Sequence, residues 1–367
     1  MTSPMANAGK GLQVLIKGEW GKKLRSDKFF LGFFSILIVG HLLWIVILPI
    51  LPFVDLPFHL ASSTVSRYYG QETNEFQNYF SINLSLKPNV IYFLFTSLKI
   101  FPTVEAANKI FFGIYIVLFP LSVLLIIRRF GGNYWYGTLT FLVLYNFNVN
   151  WGFTGFMFSL PFVLLAFVVT IDFLEEGTSW KAILLSVLLG SLYFFHLLAA
   201  VFSLTLFVSC CFYRYRYSFK LLISKLLPAV PVILILSWWF INAPKGNESI
   251  SDQIVNYFTK FPYSLDGKLA FLVWDNYFLF EGAKGYWVAA GLGFIGLVVP
   301  LKNIFLSKRN LLENNNNNQN YLYCFLGCSV FFVVFLPHKI PDLCFELYRR
   351  FIVFVFIGIF IWGSLRG

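Results

Sequence analysis

The 367-residue chain is 58% hydrophobic and only 12% charged, with a mean hydropathy of +0.72 and a formal charge of +11. So little polar surface cannot enclose a single water-soluble core. Lipid is therefore its main solvent, and nucleic-acid binding drops out despite the basic balance. The aromatic content, with 46 Phe and 10 Trp, suits segments that face acyl chains and end in rings at headgroup level.

Residues 1–28 form a polar, basic tail with no apparent cleavable signal, and the first apolar run, 29–51, is long enough to span. Further apolar runs occupy 106–127, 134–147, 153–173, 181–195, 197–212, 221–241, 286–305, 321–336 and 351–365. Together they predict an all-α polytopic membrane protein of about ten transmembrane helices, filling 29–365 as one transmembrane domain. Residues 180–212, read as one helix, would be about 50 Å long against a hydrocarbon core of about 30 Å, so the run is split near His196. Conversely, 89–101 (NVIYFLFTSLKIF) is short and interrupted by Lys99, which predicts an interfacial helix in the first outer loop.

Orientation follows from Lys/Arg placement. With the N-terminus cytoplasmic, the whole excess of +11 lies on the inner face and the outer face is neutral, as the positive-inside rule asks. The expected location is the plasma (inner) membrane. Outer loops are then 52–105, 242–285 and 337–350. A cytoplasmic loop, 306–320, carries the low-complexity run NNNNN, which cannot pack a core. The five cysteines show no metal-ligand spacing and read as small apolar packing residues.

The chemistry-bearing residues gather in the outer loops. The first loop opens with PFVDLPFHLASSTVSRYYG, which places Asp55 at the N-cap of a helix with Pro57 in its first turn and His59 one turn on. A carboxylate there can serve as general base toward an acceptor hydroxyl or hold a divalent cation, with His59 assisting either role. The plainer alternative is that Asp55 only caps the helix. Arg67, in the same loop, and Lys339, Arg349 and Arg350, in the last one (LPHKIPDLCFELYRRF), are candidate phosphate contacts, Arg because its planar fork suits phosphate. Ordinary snorkelling to the interface explains such residues equally well. His41 lies within the first span, and His196 groups with Asn146, Asn148 and Asn150 at the outer ends of neighbouring spans. The patterns GxxxxGK[ST], HExxH and GxSxG are absent.

The order of a span, a long outer loop opening on Asp55, an interfacial helix after Pro88-Asn89 and a span ending Arg128-Arg129-Phe130-Gly131 resembles the type C (GT-C) glycosyltransferases. These multi-spanning enzymes use polyprenyl-phosphate-linked sugars. The strings Asn150-Trp151-Gly152-Phe153, Leu160-Pro161, Phe194-Phe195-His196-Leu197-Leu198 and Arg349-Arg350-Phe351 add to the likeness. The resemblance implies an outer-face active site in which Asp55 binds or deprotonates the acceptor and outer basic residues hold the donor phosphate. Glu72 and Glu75 are the candidates for a second acidic residue. A transporter or lipid-glycan flippase is the alternative expectation, marked by a continuous polar path through the bundle, and a non-catalytic membrane scaffold is the third.

Overall fold

A computed structural model describes residues 19–83, 86–242, 283–306, 316–337, 339–340 and 344–365. Most of the N-terminal tail, of the 242–285 and 306–320 loops, and His338 lie outside these residues. Among the described residues, five stretches are long and apolar enough to cross a bilayer. They are α2 (Lys28–Ile47, after the short α1, Glu19–Ser26), α5 (Val104–Arg129), α7 (Thr154–Glu176), α9 (Leu197–Tyr215) and the run Phe219–Asn242, in which α10 (Phe219–Leu226) leads into α11 (Val230–Asn242). Shorter apolar helices are α8 (Ser179–Phe195), parts of α12 (Ala283–Leu306) and α13 (Asn316–Phe335), and α14 (Ile352–Ser364).

α7 is the central element. It packs against α5, α8 and α9 and buries 78% of its apolar window, whereas α2 buries 17% and Phe219–Asn242 22%. The two peripheral helices therefore present mostly lipid-facing surface, including Leu43, Trp44, Ile47, Leu234 and Ile241. Lipid tails are as apolar as Leu, so burial in the bundle rests on close packing instead of water exclusion. Phe111 of α5 stacks on Phe158 of α7 at 3.9 Å between ring centroids. Small residues let backbones approach: a Cβ at Gly155 would stand 2.5 Å from the Phe195 carbonyl oxygen, and one at Gly363 2.8 Å from Pro300 Cα.

Two elements differ from expectation. The predicted span 134–147 is a 3₁₀ helix over Tyr134–Val143 followed by a turn. At about 2.0 Å per residue its ten residues reach about 20 Å, further than the same number would as α-helix. The predicted interfacial helix at 89–101 shrinks to α4 (Ile91–Thr96). Asn89 takes a left-handed φ of 65° before it and Pro102 closes the segment after it. α4 is held by side chains: Thr96 bonds Ser63 of α3 (Leu56–Tyr68) at 2.7 Å, and the Tyr92 hydroxyl donates to Asn108 of α5 at 2.8 Å. The break at His196 is present, with φ −165° and ψ 128° between α8 and α9. A two-residue-per-strand hairpin, β1 (Lys339–Ile340) with β2 (Cys344–Phe345), precedes Tyr348 and α14.

The bundle has two chemically distinct ends. One is bound by ion pairs: Arg129 contacts Asp172 at 2.6 Å and Glu175, and Lys181 contacts Glu176 at 2.5 Å. Tyr134 donates to Asp27 at 2.9 Å, and the Asn133 N–H to the Ser364 carbonyl at 2.9 Å, at the same end. The other end gathers Asp55, the α6 turn (Phe147–Trp151), His196 and Arg350. His41, between the ends, bonds the Tyr145 hydroxyl at 3.1 Å. Because the Phe195 carbonyl cannot move without disturbing the break before α9, Gly155→Ala is expected to lower unfolding stability in detergent by about 1–3 kcal/mol. A thermal melt of the purified variant checks this.

Candidate functional site

Residues 146–153 (NFNVNWGF) turn the chain at the Asp55 end through the short α6, and their bonds run within that turn, to side-chain amides and to neighbouring loops. Asn146 Oδ1 accepts from the Asn148 backbone N–H and from its Nδ2, both at 3.0 Å, while Asn146 Nδ2 donates to the Val143 carbonyl at 3.0 Å. Gly152, at φ +81°, ends α6 in the left-handed region that glycine adopts without strain. A Cβ there would lie 3.2 Å from the Asp55 nitrogen. That clearance lets Val54 N–H reach the Asn150 carbonyl (3.1 Å) and Asp55 N–H reach that of Trp151 (2.9 Å).

Asp55 is thus fixed by its backbone, and the structure corrects the expected capping role. It occupies the N-cap position of α3 with φ −86° and ψ −1°, but its carboxylate makes no cap hydrogen bond. An αR conformation turns the side chain away from the first-turn amides, which a capping Asp meets from the β region. His59, one turn on, packs against Tyr92 at 5.3 Å and Phe93 at 5.6 Å. Burial pushes its imidazole below the ordinary value, while the Asp55 carboxylate and the Gly152 backbone pull it partly back. Its Nδ1 is buried without a hydrogen-bond partner.

The arginine pair meets the same segment from the opposite direction. Arg349 lies over the Phe147 ring at 4.2 Å and pairs with Glu346 at 3.0 Å. Arg350, only 4% exposed, lies over the Phe153 ring at 3.6 Å, and its Nη1 is 3.1 Å from His196 Nε2. Asn148 Nδ2 donates to the Arg350 carbonyl at 3.1 Å, and Asn148 Oδ1 is buried without a partner. Burial and the Arg350 cation hold His196 well below its ordinary value, so it stays neutral.

Of the six residues singled out in the sequence, four converge on 146–153: Asp55, His59, Arg349 and Arg350. Arg67 does not. It lies about 18 Å further along α3, where its guanidinium donates to the carbonyls of Leu98 (3.2 Å), Phe101 (2.6 Å) and Pro102 (3.3 Å), fastening α3 to the turn before α5. Lys339 belongs to the hairpin strand β1. Glu346 and the ring faces of Phe147 and Phe153 were not anticipated. The one sequence signal for Glu346 is its position three residues before Arg349. Glu72 sits in an exposed 3₁₀ turn, and Glu75 follows it at φ 52°. Among the described residues, no three His, Cys, Asp or Glu side chains come together as a metal-ligand set.

The neutral His59 gives a pH test. Its folded value lies below 6.5, so its contribution to stability is present above 6.5 and is lost as pH falls through the folded value, because the unfolded chain takes the proton first. Thermal stability is expected to fall below pH 6.5, and His59→Gln to flatten part of that fall, the remainder belonging to His196. Melting curves across pH for both proteins check it.

Comparison with models of protein families, with curated proteins and with solved structures found no match to this chain, so the reading of the site rests on its own geometry.

Proposed function

We propose that the protein is a membrane glycosyltransferase, using a polyprenyl-phosphate-linked sugar as donor at the Asp55 end of the bundle. The observation that carries this reading is the convergence of a carboxylate not engaged in capping and two arginines on the 146–153 segment. In the reaction, Asp55 accepts the proton of the acceptor hydroxyl as its oxygen bonds the anomeric carbon. The bond from that carbon to the donor phosphate oxygen breaks, and polyprenyl phosphate leaves with the electron pair. Arg349 stabilises the phosphate charge by exchanging its Glu346 partner for a donor oxygen. Arg350, braced by Phe153 and His196, holds the positive field in place. Asn148 Oδ1 is a buried acceptor suited to a sugar hydroxyl.

The same proposal includes ten crossings with a cytoplasmic N-terminus. What supports it is that charges the sequence assigns to one face, Asp27, Arg129, Asp172, Glu175, Glu176 and Lys181, lie in the bonds and ion pairs at one end of the bundle. Single cysteines, introduced in a background lacking the five native ones, are expected to react from inside at positions 129 and 316. They should react from outside at 55, 264 and 339. Outside labelling of position 129 would defeat this topology.

Asp55→Asn keeps the side chain's size and removes its basicity, so turnover with polyprenyl-phosphate sugars is expected to fall by about 10² to 10⁴ with expression unchanged. Arg349→Ala should weaken donor binding, and Lys should restore it poorly, since a point charge replaces a fork. Equal activity of Asp55→Asn and wild type would remove Asp55 from the mechanism and favour the flippase reading.

A further inference from the structure

The opposite end of the bundle carries an open cleft beside Lys225. A cleft of about 380 Å³ lies between the end of α7, the start of α8 and α10, lined among others by Phe173, Ser179, Ile183, Ser224, Lys225 and Leu227. The Lys225 ammonium lies 4.8 Å from the Phe173 ring centroid. Its room is made by Gly177, where a Cβ would come within 3.0 Å of Nζ.

Lys225 differs from the basic residues nearest the end of α7, Arg129 and Lys181. Arg129 is paired with Asp172 and Glu175, and Lys181 with Asp172 and Glu176. Among the described residues, no carboxylate lies within ion-pair distance of Lys225. A lysine left without countercharge in a cleft with an aromatic wall has lost part of its hydration and gained no anion in return. The donors beside it suit phosphate: Ser179 opens α8, whose N-terminus lacks a side-chain cap from Thr178, and the positive end of that helix faces the cleft wall. Ser224 directs its own proton to the Leu221 carbonyl at 2.9 Å, leaving Ser179 and Ser186 as the hydroxyl donors.

The rest of the wall is apolar and opens sideways. Ile183 is 66% exposed and Leu227 63% exposed, both on the flank where α8 meets the Phe219–Asn242 run. A free phosphate would use only the polar half of this cleft. A lipid uses both halves.

We propose that the cleft binds the headgroup phosphate of an anionic phospholipid, with Lys225 as countercharge and an acyl chain lying along Ile183 and Leu227. The site is separate from the Asp55 end and does not depend on the function proposed there. The full chain in neutral detergent, titrated with phosphatidylglycerol or phosphatidylcholine and read by native mass spectrometry, tests it. Wild type is expected to prefer phosphatidylglycerol by about fivefold, the ratio a single lysine near a lipid surface supplies. Lys225→Gln should erase that preference, Lys225→Arg should keep it, and excess inorganic phosphate should not displace the lipid. Undiminished preference in Lys225→Gln would overturn the site. Displacement by inorganic phosphate would overturn its assignment to lipid. Elution of Lys225→Gln as a monodisperse species, together with retention by Lys225→Arg, separates loss of the site from loss of the fold.

Discussion

Where a chain turns between long helices within a membrane-type bundle, each peptide N–H and C=O must find a partner inside the protein, because lipid offers none. The 146–153 segment meets that demand with Asn146 and Asn148, whose amides return bonds to their own turn and to the Arg350 carbonyl. The solution has consequences on both sides. The carbonyls it leaves outward are those that hold Val54 and Asp55, and the rings it carries, Phe147 and Phe153, are those that receive the two guanidinium planes. A desolvated cation over a ring gains about 2 kcal/mol. This, with the His196 contact, makes a nearly fully buried arginine tolerable.

The two ends of the bundle solve the charge problem differently. At one, opposite charges meet directly, Arg129 with Asp172 and Lys181 with Glu176, and the surface is locally neutralised. At the other, the described contacts of the arginines include aromatic faces, a neutral imidazole and the Glu346 carboxylate. Fixed ion pairs brace helices. Cations laid over rings brace the loop that carries those rings.

Much of this architecture was legible in the chain because it is written in long-wavelength features. Apolar runs bounded by charge gave α5 and α7 to within a few residues, and a length that no bilayer accommodates exposed the break at His196. The 3₁₀ course of Tyr134–Val143 was not legible, since periodicity and composition alike fit an α-helix there. Of the site, Asp55, His59 and the arginine pair stood out as ionisable groups beside apolar runs. Their meeting on 146–153 did not, because it depends on bonds between stretches about a hundred and two hundred residues apart, such as Asp55 with Trp151 and Asn148 with Arg350. Arg67 looked like its fellows in sequence. Only the three carbonyls around it reveal a fastening role.

The placement of α14 bears on how the protein is made. This helix lies against α5, the Tyr134–Val143 segment, α12 and α13, with Gly358 and Gly363 pressed to Leu326 and Pro300, and nearly all its side chains are buried. It is also synthesised after every other helix described. Until it is made, the helices it packs against lack the partner that fills the space between them. Insertion of α14 then fills a slot between helices made before it, and a chain halted before residue 352 would leave that groove open to the quality-control machinery of the membrane.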